Sequence, residues 1–369
     1  MNYVVIDWFE VFVDEPQGFS LQVYEDAGCS VLLRDYSTRV YAEVAEIFDP
    51  ALSVSFEVRR SPKSTGVLAV GACHLRLPND QLYKMNAAIA VDRILQKYGL
   101  KYRSISRIDV CTDFVTFDSG IPPQSFLKRV LGGVYRRSEQ GLRKDIVQER
   151  WDSVTPNYMA WKNGDIMIRL YDKTLELRQV ATPLKRSYIS ALWAQYGLIS
   201  KPHAIFDLGV PHVWRLEIQI SSQSRGWVKV GKSGYFQNDL DTWASPSESE
   251  ELFKCLVETY FAFYVFKKSS EVSDCKRVDL FRFGREIVRL GRVSDQQINE
   301  AATSHRLALL VAKLDSWIAD LTLSRIHPSL VSLRSEALSL LRSESNLSPD
   351  EIAALRRKMA LMEGSLFND

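Results

Sequence analysis

Three short stretches constrain the fold of this chain more than anything else in it. They read Arg107-Ile108-Asp109-Val110-Cys111-Thr112-Asp113, Ile168-Arg169-Leu170-Tyr171-Asp172-Lys173 and Trp214-Arg215-Leu216-Glu217-Ile218-Gln219-Ile220. In each, ionic or polar residues stand two apart with mainly apolar residues between them. That is strand periodicity, because strand side chains alternate faces. Placed side by side, the three strands make a sheet with one apolar face. The opposite face gathers Arg107, Asp109, Asp113, Arg169, Tyr171, Lys173, Arg215 and Glu217. Carboxylates and cations crowded on one patch of sheet point to a hard divalent cation and a phosphate.

Composition narrows the rest. The chain has 369 residues, enough for two domains. Its formal net charge is only +2, so contact with nucleic acid has to come from a local patch. Asp7, Glu10 and Asp14 interrupt the apolar start, which argues against a secretory leader or a membrane span. Cys29, Cys73, Cys111, Cys255 and Cys275 are scattered and show no zinc-ligand spacing. Reduced thiols in a cytoplasmic protein are expected.

Along the chain, residues 3–14 read as a strand and residues 20–75 as a meander that includes the segment LQVYED. Asn79-Asp80 caps a helix expected from Gln81 to about Lys97, closed by Gly99. Pro122-Pro123 opens a short helix, and a further helix is expected from Leu184 to about Tyr196. The basic stretch 135–150 reads as a loop or short helix. Beyond residue 245 the pattern is helical, with Ser245 or Ser247 capping one helix and further helices over 295–322, 328–344 and 349–363. The fold class expected is α+β: an antiparallel sheet with helices packed on one face, followed by a helical region. The domain boundary expected divides 1–245 from 246–369.

Asn163-Gly164 lies between two strand-like runs and is a favoured pair for a two-residue hairpin turn. That turn pairs Lys162 with Asp165 and, counting outward, Tyr158 with Arg169. Tyr158 then shares a face with Arg169, Tyr171 and Lys173. A tyrosine beside cations and a metal can serve as a nucleophile on phosphorus, because both lower the cost of forming phenolate. Asp109 and Glu217 are candidate ligands for Mg²⁺ or Mn²⁺, with Asp113 as a third ligand or an acceptor behind them. Arg169, Lys173 and Arg215 are candidate phosphate clamps. The bland alternative is a solvated sheet face with cross-strand ion pairs worth ~0.2–1 kcal/mol each.

The segment Gly226 to Ser233 matches the P-loop expression, but its interior Trp-Val-Lys-Val favours a strand and no good helix start comes after it. Nucleotide binding is therefore not expected there. His203 and His212 are isolated, and no histidine–hydrophobe–histidine pair occurs. The basic runs at 136–144 and 276–292 are candidate tracks for a DNA backbone.

In order, several motifs resemble those of one family. Val5-Ile6-Asp7-Trp8-Phe9 resembles its "V-D-W-L" start, and Leu68 to Cys73 its "L-S-G-x-G-C" turn. Arg107-Ile108-Asp109 with Asp113 is similar to "R-I-D-x-x-x-D". Tyr158 through Lys173, with Glu176 beyond, is similar to "Y-x-G-S-x-x-S … R-x-Y-D-K-x-x-E", and Arg215-Leu216-Glu217 to "R-x-E". The family is the Rep-trans type of rolling-circle replication initiators of plasmids, phages and integrative elements. The resemblance spans about residues 3–285. It implies a relaxase-like fold and a site-specific nickase and ligase. The tyrosine of that nickase attacks one phosphodiester of a double-stranded origin, keeps the 5′ phosphate and frees a 3′ hydroxyl for a polymerase. It implies a divalent metal, origin DNA and the nicked single strand as partners, and a host helicase and polymerase. The family's tyrosine maps onto Tyr158. Ala160 to Gly164 depart from "G-S-x-x-S", and Tyr171 is the second candidate nucleophile. The C-terminal helices are expected to bind origin DNA, dimerise or recruit a helicase. Two other activities stay open: a non-catalytic origin-binding regulator, and a metal-dependent nuclease that uses water.

Overall fold

The structure, a computed structural model, describes residues 3–34, 41–61, 71–137, 158–163, 166–179, 181–206, 211–221, 227–230, 234–238, 240–265, 275–282, 289–290 and 292–321. For 158–163, 227–230, 234–237, 289–290 and 314–321 it is the backbone that is described. The strands are β1 (Tyr3–Asp14), β2 (Ser30–Leu33), β3 (Glu43–Asp49), β4 (Val54–Arg60), β5 (Ala72–Leu77), β6 (Lys101–Phe114), β7 (Tyr135–Arg137), β8 (Tyr158–Asn163), β9 (Ile166–Asp172), β10 (Trp214–Ser221), β11 (Trp227–Val230), β12 (Gly234–Gln237), β13 (Phe263–Val265) and β14 (Arg289–Leu290). The helices are α1 (Gln22–Asp26), α2 (Asn79–Leu82), α3 (Ala87–Tyr98), α4 (Pro123–Leu131), α5 (Lys173–Gln179), α6 (Pro183–Gln195), α7 (Leu240–Ala244), α8 (Pro246–Tyr260) and α9 (Asp295–Leu321).

The fold is α+β, built on one large sheet in the order β2-β3-β4-β5-β1-β6-β10-β9-β8, with β14 joining β1 in parallel. Every pairing along that path is antiparallel. The apolar face is where the sequence puts it: Ile108, Val110, Leu216, Ile218, Ile168 and Leu170 are buried. Aromatic rings bring helices onto that face. Tyr24 of α1 and Tyr98 of α3 meet Phe56 of β4, while Phe117 and Phe126 of α4 continue a ring cluster from Phe114 of β6. Aromatic pairs of this kind add ~0.5–1.5 kcal/mol each beyond the area they bury.

The chain divides into two compact units, 1–179 with 211–292, and 180–210 with 293–369. The expected boundary at 245 does not match this division, since α8 belongs to the first unit and α6 to the second. The described elements of the second unit are helices. Ser190 of α6 lies 3.0 Å from His305 of α9, and His203 lies 2.6 Å from Ser304.

Three sequence expectations are corrected. LQVYED is not a strand but contains α1, whose one buried residue, Tyr24, lodges in the ring cluster; that packing overrides β-propensity. The helix expected over 81–97 is two helices broken at Tyr83. Asn86 starts the second by accepting the Ile89 N–H, and Gly99 ends it at φ 64. The hairpin pairs Asn163 with Ile166, so Tyr158 faces Tyr171 rather than Arg169. The register moves by two residues, an even step, so Tyr158 keeps the face expected for it.

The P-loop match is not a strand-to-helix turn. Trp227–Val230 pairs antiparallel with Gly234–Gln237 as a β-ribbon. The basic stretch 138–150, Gly231 to Ser233, and the helices expected over 328–344 and 349–363 lie outside the described residues. Among the described residues no helix is long and apolar enough to cross a membrane.

Candidate active site

The central strands meet in a fixed register. Arg215 of β10 stands between Asp113 of β6 and Tyr171 of β9, and Glu217 stands between Cys111 and Arg169. Opposed residues of an antiparallel pair share a face, so these side chains and those of Asp109 and Gln219 project together. The β8 register sets the backbone of Tyr158 opposite Tyr171.

At one end of the patch the charges are sealed. Arg215 is 0% exposed and Asp113 2%. The Arg215 guanidinium donates to both Asp113 oxygens at 2.6 and 2.8 Å and to the Tyr83 hydroxyl at 3.0 Å, and it meets Asp7 at 3.0 Å. Tyr3 donates to Asp113 at 3.0 Å. Asp7 reaches this cluster because β1 slips one residue against β6 between Ile6 and Trp8. Burial works against the charge on Arg215, yet Asp113 beside it holds its pKa above the ordinary value.

At the other end Arg169 and Tyr171 are partly exposed, while Asp109, Glu217 and Lys173 are buried beside them. Tyr171 donates to Glu217 Oε2 at 2.8 Å, and Lys173 Nζ donates to the Tyr171 hydroxyl at 3.2 Å. Burial, and then Glu217, push the Tyr171 phenol well above its ordinary range. Lys173 sits over this tyrosine because β9 runs straight into α5, where Asp172 accepts the Leu175 N–H as a cap. Its Nζ also meets Glu176 at 2.6 Å. Arg169 lies 2.9 Å from Glu217 and 3.8 Å from Asp109, and bonds Gln219. Arg107 grips both Asp109 oxygens at 2.9 and 2.6 Å. Burial raises the Asp109 carboxyl to about 6, with Glu217 adding to the rise and Arg107 and Arg169 opposing it.

The eight predicted side chains therefore fall into two groups. Asp109, Glu217, Arg169, Tyr171 and Lys173 form one cluster, with Tyr158 placed beside it by register. Asp113 and Arg215 form a buried pair turned to each other. Among the described residues no group of three or more His, Cys, Asp or Glu side chains is arranged to hold a metal. A three-carboxylate centre does not fit, because Asp113 is turned to Arg215. Asp109 and Glu217 remain as a pair of hard oxygen donors, bridged by the Arg169 guanidinium. His212 pairs with Asp172 and His203 with Ser304. All five cysteines are free thiols.

Sequence reasoning missed Tyr3, Asp7 and Tyr83, the partners that lock Arg215 and Asp113. Asp7 lies in a bulge, and Tyr83 sits in a helix break, so neither obeys a periodicity that would reveal it.

No family model and no curated protein matches the chain. Among solved structures it is similar to a rolling circle replication initiator protein from Geobacillus stearothermophilus, at 13% identity over 75% of this chain and 93% of that one, with a TM-score of 0.41. A likeness of that size carries no functional inference for this chain.

Proposed function

We propose that the charged face of β6, β10, β9 and β8 is the centre of a DNA strand transferase that starts rolling-circle replication. The observation that carries this reading is the line Lys173–Tyr171–Glu217 with Arg169 alongside, directly opposite the backbone of Tyr158. Phosphoryl transfer from DNA needs a nucleophile, a proton acceptor and cations near the phosphate. This cluster offers all three on one patch, and the ordered sequence motifs support the same reading.

Tyr158 is the proposed nucleophile. Its phenolic oxygen forms a bond to phosphorus as the bond from phosphorus to the 3′ oxygen breaks. The 5′ phosphate stays on the tyrosine, and the proton lost from the phenol is balanced by one taken up at the freed 3′ oxygen. Tyr171 is the weaker candidate, because burial and Glu217 both hold its proton on. Arg169 and Lys173 offset the phosphate charge. Arg215 and Asp113 act through position, keeping β6 and β10 in register beneath the site. Asp109 and Glu217 would hold a divalent cation, Mg²⁺ or Mn²⁺, which supplies charge neutralisation at the phosphate. Arg169 would then exchange its carboxylate partners for a phosphate oxygen.

The test is incubation of the full chain with a supercoiled plasmid carrying its own gene and flanks, with and without Mg²⁺ or Mn²⁺. The reading expects nicked circles and a protein–DNA adduct that survives denaturing electrophoresis. Nicking with no adduct would point to water as nucleophile. Tight binding that EDTA leaves unchanged, with no nicking, would point to a regulator.

A further inference from the structure

The charged face does not end at the proposed centre. It continues across β1, β5 and β4, where the register sets Trp8 opposite Asp109, Glu10 opposite both Arg107 and Arg76, and Arg76 opposite Glu57. The β1 bulge at Asp7 makes this possible. Without it, alternation from Val5 would send Trp8 into the core.

Three arginines surround the Trp8 ring. The guanidinium carbon lies 3.6 Å from the ring centroid for Arg76, 4.3 Å for Arg107 and 5.8 Å for Arg59. Carboxylates fix these groups in place. Glu57 meets Arg59 at 2.5 Å and Arg76 at 3.4 Å, and Glu10 meets Arg59 at 3.2 Å. Arg107 is the joint between the two regions, since it stacks on Trp8 and grips Asp109. Two donors of this layer, Trp8 Nε1 and Arg76 Nε, are buried with no hydrogen-bond partner among the described residues. The layer thus combines an aromatic ring and guanidinium planes, one strand away from a candidate catalytic carboxylate.

We infer that the Trp8–Arg76–Arg107–Arg59 layer is a binding site for unpaired bases of single-stranded DNA flanking the reacting phosphate. Bases stack on aromatic rings and on guanidinium planes, and such stacking tolerates any sequence. Each arginine has a carboxylate neighbour, so the layer is close to neutral. Stacking rather than net charge carries the binding, which sets it apart from a duplex-tracking basic groove. The inference rests on the strand-transferase reading for its place beside the nick, but its test does not need the chemistry.

The experiment uses the full chain carrying Tyr158→Phe, so that no covalent capture enters the measurement. A fluorescein-labelled twelve-residue oligo-dT and a duplex of the same length are titrated by anisotropy at several salt concentrations. Trp8→Leu is expected to weaken oligo-dT binding roughly 5- to 100-fold, the range for loss of one base stack. Trp8→Phe, which keeps a ring, is expected to bind nearly as the parent does, and Arg76→Gln to fall between the two. The salt slope is expected to be shallow, below that of about three phosphate contacts or roughly −2. Thermal melting checks that each variant folds; if Trp8→Leu does not, Arg76→Gln decides. Unchanged affinity in the folded variants overturns the inference, as does equal loss on duplex and single strand. Failure of adduct formation in the unmodified chain counts against the strand-transferase reading and leaves this binding result standing.

Discussion

Tyr171 hands its hydroxyl hydrogen to Glu217 across one strand gap, at 2.8 Å, while Lys173 approaches the same oxygen from the other side at 3.2 Å. A phenol held this way orients a carboxylate and keeps its own proton. Tyr171→Phe is therefore expected to slow nicking about 10- to 100-fold, the worth of one hydrogen bond to a charged group, without abolishing the adduct. Single-turnover nicking rates check this.

Arg215 is a fully buried cation between two carboxylates. Removing one partner of a buried pair leaves the others uncompensated, which costs ~3–5 kcal/mol. Arg215→Met should lower unfolding stability by about that amount in urea titrations. Arg215→Lys should not restore it, because an ammonium cannot span Asp113, Asp7 and Tyr83 together.

Asp109 gives the site a pH dependence of known sign. Its carboxyl is raised to about 6, so between the ordinary carboxylate range and that value the folded chain binds more protons than the unfolded one. Its contribution to stability is therefore full at low pH and is lost as pH rises through about 6. Relative to the parent chain, Asp109→Asn should gain stability from pH 4 to pH 7.5, measured by chemical unfolding across that range. Nicking should show the opposite trend in the parent chain, falling as pH is lowered, because a proton on Asp109 competes with a cation for the same oxygens.

Arg169 bridges the two carboxylates that would hold a divalent cation. If the two compete, Arg169→Gln should bind Mn²⁺ more tightly than the parent chain, by calorimetry or electron paramagnetic resonance, and nick more slowly. Weaker Mn²⁺ binding in that variant would sink the exchange of partners at this site.

Strand alternation makes part of this fold legible in the sequence. β1, β6, β9 and β10 and their polar face are readable from period-two spacing, and the caps at Ser245 and Gly99 from residue type. Alternation cannot reveal a residue that breaks it. Asp7 is such a residue, and so the buried Arg215 cluster and the Trp8 layer are both hidden from it. Charge type alone also cannot separate Arg169, which faces the open patch, from Arg215, which is sealed. That distinction depends on Tyr3 and Tyr83, far off in sequence. The hairpin register turns on which two residues form the loop, where Asn-Gly and Gly-Asp are both acceptable.

The central claim is that Tyr158 becomes joined to DNA. The most direct measurement is protease digestion of the covalent protein–DNA complex, then mass spectrometry of the nucleotide-bearing peptide, in parallel with Tyr158→Phe and Tyr171→Phe. The modification is expected on Tyr158, lost in Tyr158→Phe and retained in Tyr171→Phe. A modification on Tyr171, or an adduct that persists in Tyr158→Phe, would contradict the claim.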